Sequence, residues 1–204
     1  MNRMSDLTLG DLRRLNSRIA RTLEGLVDWS AFSLEGFRAA LESRLQGRII
    51  LIPFHWENAA FFGFTLGCTG PNGRRWLVLY ERDAGSEHQL VIILHELMHI
   101  AFGHRNADIS AALMREIVTF LKLLPEVEDV DLETAVAYTR LCAFDEGGNL
   151  LFVGREGEEQ EAELGATWVV TQARRAGALP PSGTPFLAEH RTIDANLGGS
   201  VGSL

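Results

Sequence analysis

The segment Val91–Phe102, VIILHELMHIAF, restricts the fold of this chain more than any other stretch. Wound as a helix, its apolar residues Val91, Ile92, Ile93, Leu94, Leu97, Met98, Ile100 and Ala101 cover nearly the whole circumference, and such a helix is buried. His95, Glu96 and His99 are set into that apolar surface. Burying a carboxylate beside two imidazoles is costly unless something pairs them. The rest of the chain must therefore surround this helix and give those three side chains a partner.

Residues four apart in a helix are rotated by about 400°, so His95 and His99 leave from one face. Two imidazoles so placed can bind one zinc ion at about 2.0–2.1 Å. Glu96 lies beside that face without being a ligand, where it can take a proton from water that the ion acidifies. H-E-x-x-H specifies only three residues in five. The competing interpretation is two partly buried histidines and a surface glutamate, and the apolar neighbours weigh against it.

The chain has 204 residues, 46% of them apolar and 23% charged, a globular composition with material for a core that needs no disulfides. No apolar run approaches the roughly 20 residues of a membrane helix, and no signal-peptide core is visible at the N-terminus. Cys68 and Cys142 are far apart and form no metal-type pair, which with the missing signal leads us to expect a cytoplasmic protein. A net charge of −8 argues against direct binding of nucleic acid, because such binding neutralises phosphates. Arginine is abundant and Lys122 is the single lysine, which reads as coding bias.

Helical spacing of Leu12, Leu15, Ile19, Leu23 and Leu26 predicts a helix within 7–28. A second follows Ser33 as N-cap, with Leu34, Phe37, Leu41 and Leu45 on one face and Gly47 as its stop. RIILIPF, FFGFTLGC and RWLVLYER are expected strands, the last two joined by a turn at Pro71-Asn72-Gly73. Ser86 and Gln89 fit a capping box opening the H-E-x-x-H helix, which Gly103 ends. Further helices are expected at ISAALMREIVTFLKLL, DLETAVAYTRLC and EEQEAELGATWVVTQARRA, with a turn at DEGGN. The expected organisation is a helical extension over 1–32, a core domain over 33–177 and a flexible tail over 178–204.

A catalytic zinc usually has three protein ligands. His104 is the nearest candidate, but a continuing helix would rotate it about 140° from His99, so it is expected to be a cap or surface group. The late helix offers Glu158, Glu159, Glu161 and Glu163. Acidic residues in a first turn are commonly dipole-favoured and solvated, which covers Glu158 and Glu159. Glu161 shares a face with Leu164, Gly165 and Trp168, a face that must pack inward, and Gly165 and Ala166 permit a close helix approach. Glu161 is therefore the expected third ligand.

HELMHIAFGH and EQEAELGAT together resemble the ImmA/IrrE family of zinc metallopeptidases, over roughly residues 33–172. The resemblance places the family's two ligand histidines on His95 and His99, its catalytic glutamate on Glu96 and its third ligand on Glu161. Departures are Met98, where the family usually has glycine, Leu164-Gly165 in place of a larger apolar residue, and a long segment between the motifs. The fold thus implied is α+β, with a gluzincin-like core and a small antiparallel or mixed sheet before the active helix. The implied activity is zinc-dependent endopeptidase action, with Mn2+ as the alternative ion. The implied substrate is a helix-turn-helix repressor or antitoxin-like regulator, whose cleavage switches genes on. The rival expectation is a non-catalytic or toxin-like zinc-binding partner of such a regulator. For an oxyanion helper, Tyr80, Tyr138, His88 and His190 are candidates, each with the ordinary surface or boundary role as the favoured alternative.

Overall fold

The computed structural model describes residues 8–55, 63–70, 73–104, 111–137, 142–144, 150–152 and 156–181. Among these, helices α1 (Leu9–Leu23) and α2 (Leu34–Leu45) precede strands β1 (Gly47–Phe54), β2 (Gly63–Gly70) and β3 (Gly73–Glu81). Helices α3 (Ser86–Phe102) and α4 (Ala111–Leu121), strands β4 (Asp131–Ala137), β5 (Cys142–Phe144) and β6 (Leu150–Phe152), and helix α5 (Glu156–Arg175) follow. The fold is α+β around a small mixed sheet ordered β1-β3-β2-β4, with β1 and β3 parallel and the other pairs antiparallel. No described helix is long and apolar enough to cross a membrane.

β3 is apolar along most of its length because both sheet faces are covered. Trp76, Val78 and Tyr80 pack with Ile49 and Leu51 under α1, α2, α3 and α5. Leu77 and Leu79 point the other way and join Phe64, Leu66 and Cys68 against Ile117 and Leu121 of α4. The period-two pleat thus sorts one continuous run into two cores. The N-terminal segment is integral to the first of them, since Ile19, Leu23 and Leu26 lie in the same cluster as α3 and α5.

Local signals behave unevenly. Thr8 and Asp11 form a capping box for α1, and the Ser33 hydroxyl accepts from the Gly36 amide 3.1 Å away. The stop after α2 is Gln46, in a left-handed conformation (φ 51°), rather than Gly47. Gly47 instead permits close packing, because a Cβ there would lie 2.5 Å from the Trp76 ring and 2.7 Å from the Arg74 carbonyl. The expected Ser86 cap is also corrected. α3 opens after Gly85 with no side-chain cap, and Gln89 Nε2 instead donates to the Arg82 carbonyl at 2.6 Å, closing the preceding turn.

The largest correction is at DLETAVAYTRLC, expected as a helix. Asp131–Ala137 is β4, paired with β2, and Cys142–Phe144 is β5, paired with β6. The edge of β2 presents backbone groups that need partners, and Leu132 fills the core on the α4 side. Gly70 and Gly73 are register partners, as the expected hairpin requires, and Gly73 takes φ 104°, while Pro71 and Asn72 lie outside the described residues.

Helix α5 does not release the chain at Gly177. Gly177 turns with φ 77°, Ala178 N–H donates to the Ala173 carbonyl, Arg174 Nε donates to the Pro180 carbonyl at 3.0 Å, and Leu179 is buried in the core. Residues 182–204 of the expected tail lie outside the described residues. Truncation after Gly177 is expected to destabilise the protein by about 1.5–3 kcal/mol, the value of one buried leucine. Urea denaturation of the truncated and full chains measures the difference.

Candidate metal centre

α3 and α5 meet at the glycine anticipated from the sequence. A Cβ at Gly165 would stand 2.8 Å from Met98 Cε and 3.0 Å from its Cγ, so α5 lies close against α3 and a side chain there would have to displace Met98. This approach carries the first turn of α5 to the histidine face of α3. Ala162, Ala166, Val169 and Ala173 are all buried along the contact, at the three- and four-residue spacing of one helix face. Extending that face one step toward the N-terminus reaches Glu159.

His95, His99 and Glu159 converge there. The two Nε2 atoms are 3.0 Å apart, and Glu159 Oε2 lies 3.3 Å from that of His95 and 3.4 Å from that of His99. For a tetrahedral zinc with bonds of about 2.0–2.1 Å, ligand atoms stand about 3.3–3.4 Å apart. The triangle therefore has the size that one such ion demands. His99 and Glu159 are buried, and His95 is partly open. Glu159 Oε2 is a buried oxygen with no hydrogen-bond partner of acceptable geometry. This group could hold a metal ion, and a donor set of two imidazoles and one carboxylate is one that zinc accepts.

The electrostatics agree. Burial lowers the pKa of His99 to about 4, with the neighbouring His95 adding to the effect and Glu159 opposing it, so His99 is neutral. Burial works against ionisation of Glu159, but the two adjacent imidazoles outweigh it and hold its carboxyl below the ordinary range. For His95, burial is outweighed by Glu159, Glu96 and Glu163, and its pKa is raised above 6.5. The cluster thus favours one positive charge, and a proton on His95 competes with a metal for it. Zinc affinity is accordingly expected to rise with pH through the neutral range, by up to about tenfold per unit while that single proton is displaced. Chelator competition at a series of pH values measures this, and a flat profile would contradict it.

Glu161, the expected third ligand, is elsewhere. Its Oε2 lies 3.0 Å from His104 Nε2, and its Oε1 pairs with Arg18 Nε of α1 at 2.9 Å. Two residues along a helix turn by about 200°, so Glu159 and Glu161 face opposite ways. Both are buried because α5 is covered on both sides, by α3 and by the segment containing Arg18 and Trp29. Glu159, expected to be solvated, is the residue beside the histidines. The signal that could have found it is the small-residue stripe at 162, 166, 169 and 173, which points back to 159.

His104 is buried rather than a surface group. The helix does not continue past Gly103, which takes φ 72°. Gly103 N–H donates to the Ile100 carbonyl and His104 N–H to the His99 carbonyl, the two bonds of a Schellman motif. That motif folds residue 104 back over residue 99.

Glu96 is buried on the side of α3 that faces β2. Thr65 Oγ1 donates to Glu96 Oε2 at 2.8 Å, and a Cβ at Gly63 would lie 2.6 Å from Glu96 Oε1. The bare backbone of β2 at Gly63 thus abuts the carboxylate, with no side chain between them. Thr65→Val is expected to cost about 1–3 kcal/mol, the usual loss when a buried carboxylate forfeits a hydrogen bond, with zinc content unchanged. Denaturation and elemental analysis of the same sample test both parts. Of the oxyanion candidates, Tyr80 is buried in the core, His88 is exposed near the start of α3, and Tyr138 and His190 lie outside the described residues. Burial pushes the Cys68 thiol up to about 12, aided by the charge of Asp131, so Cys68 is no thiolate ligand.

Comparison of the chain with family models, curated proteins and solved structures finds no match.

Proposed function

We propose that this protein is a metal-dependent endopeptidase with a gluzincin-like centre in which His95, His99 and Glu159 hold one zinc ion, Mn2+ being the alternative. The observation that carries this reading is the triangle of ligand atoms at 3.0, 3.3 and 3.4 Å, one helical position from a buried carboxylate that is not part of it. When bound, such an ion supplies a Lewis acid that polarises a peptide carbonyl and acidifies water. The chain's own residues supply the remainder. Glu96 accepts the proton of the attacking water and delivers it to the departing amine. Thr65 Oγ1 donates to Glu96 Oε2 and so fixes the orientation of the carboxylate.

A helix-turn-helix repressor or antitoxin-like regulator is the proposed substrate, on the strength of the sequence resemblance to ImmA/IrrE peptidases. Incubating the zinc-loaded protein with helix-turn-helix regulators, taken first from any gene found to adjoin its own, tests this, the expected result being discrete fragments that EDTA suppresses. An intact regulator would refute that substrate.

One observation favours a second reading. Glu96 is bonded to Thr65 and packed against Gly63, so it also serves to fasten β2 to α3. In a non-catalytic, toxin-like zinc-binding partner of a regulator, that fastening would be its whole role.

A further inference from the structure

His99 has two ring nitrogens, and the structure gives each a different neighbour. Nε2 faces His95 and Glu159, whereas Nδ1 lies 3.0 Å from Nδ1 of His104. As a ligand, His99 must offer a lone pair at Nε2, so its proton sits on Nδ1. Two nitrogens at that distance share one hydrogen, so His104 Nδ1 is the acceptor. The His104 proton is then on Nε2, which donates to Glu161 Oε2 at 3.0 Å. Glu161 Oε1 is paired with Arg18 at 2.9 Å. Every hydrogen along the line is fixed by the one before it.

We infer that His104 and Glu161, anchored by Arg18, are positioning residues that lock the tautomer and ring orientation of His99 for metal binding. This deepens the metal-centre reading and rests on it. The line is built rather than incidental. His99, His104 and Glu161 are all buried. The Phe102 ring stacks on His104, with centroids 5.6 Å apart and planes at 28°, and Arg18 covers Phe102 at 5.5 Å. The left-handed turn at Gly103 aims His104 at His99. Partners of this kind raise a ligand's basicity and hold its ring in the plane that the metal requires.

Asn and Gln separate a positioning role from a merely structural one, because an Asn oxygen falls near Nδ1 of the histidine it replaces and a Gln amide near Nε2. Zinc affinity of the metal-free full chain is measured by competition with a chromogenic chelator, and the Co2+ form is followed by its visible spectrum. His104→Asn keeps an acceptor for His99 and is expected to bind zinc within about threefold of wild type, with an unchanged Co2+ spectrum. His104→Gln and His104→Leu lose that acceptor and are expected to bind about 10–100-fold more weakly, with a shifted spectrum. If the leucine variant does not fold, the Asn and Gln pair still decides. Equal affinities for Asn and Gln would overturn the inference. Glu161→Gln keeps an acceptor oxygen for His104 and is expected to retain zinc, and complete loss would overturn the inference by making Glu161 a ligand. Absence of zinc binding in the wild type is a different failure, that of the metal centre itself.

Discussion

Replacing Glu159 with glutamine is expected to weaken zinc binding by more than about a hundredfold, so that the purified variant carries no stoichiometric metal. The carboxylate oxygen closes a triangle with the His95 and His99 Nε2 atoms. Second-sphere replacements typically cost about 10–100-fold in affinity, and loss of a charged ligand costs more. The same substitution removes the anion that balances the charge on His95, so the metal-free variant is also expected to fold with a neutral His95. Elemental analysis after gel filtration reads the first effect, and imidazole NMR the second. The contrast with Glu161 is the informative part. Both are buried glutamates on one helix, two residues apart, and a general effect of buried charge would treat them alike. A Glu159→Gln protein that retains a full equivalent of zinc would remove Glu159 from the site.

Glu96→Gln is expected to abolish cleavage while leaving metal binding intact. Glutamine keeps the size of the side chain and an oxygen that can accept from Thr65, so the β2–α3 contact survives. It cannot accept a proton at neutral pH, and loss of a general base costs at least about a hundredfold in rate. In cells, a reporter driven by the regulator's promoter, run with wild-type and Glu96→Gln protein at matched abundance, separates the two proposed roles. Loss of induction with zinc and partner binding retained supports catalysis. Equal induction by both proteins would leave only the binding role.

The candidate metal helix is plain in the sequence because two histidines four residues apart are a local property: they share a face wherever the helix goes. The burial of that helix is equally legible from its apolar circumference. The carboxylate that completes the cluster is not, because it depends on the rotation of a second helix about its own axis. Local rules assign Glu159 to a solvated first turn and Glu161 to an inward face. Tertiary packing buries both, on opposite sides of α5. His104 escapes for a related reason: the rotation argument assumes a continuing helix, and Gly103 replaces the next turn with a left-handed one that reverses the direction of residue 104. The strand at Asp131–Ala137 depends on the open edge of β2, which no local pattern in 131–142 records. Gly47 reads as a stop signal, yet its place is set by the Trp76 ring, a contact distant in sequence that only the folded sheet reveals.

A zinc titration of the metal-free wild-type chain, with X-ray absorption at the zinc edge of the loaded protein, is the most direct test of the metal centre. One equivalent bound through two imidazoles and light oxygen-type ligands, with no sulfur at about 2.3 Å, is the predicted result. Binding of well under one equivalent, or a first shell without two imidazoles, would contradict it.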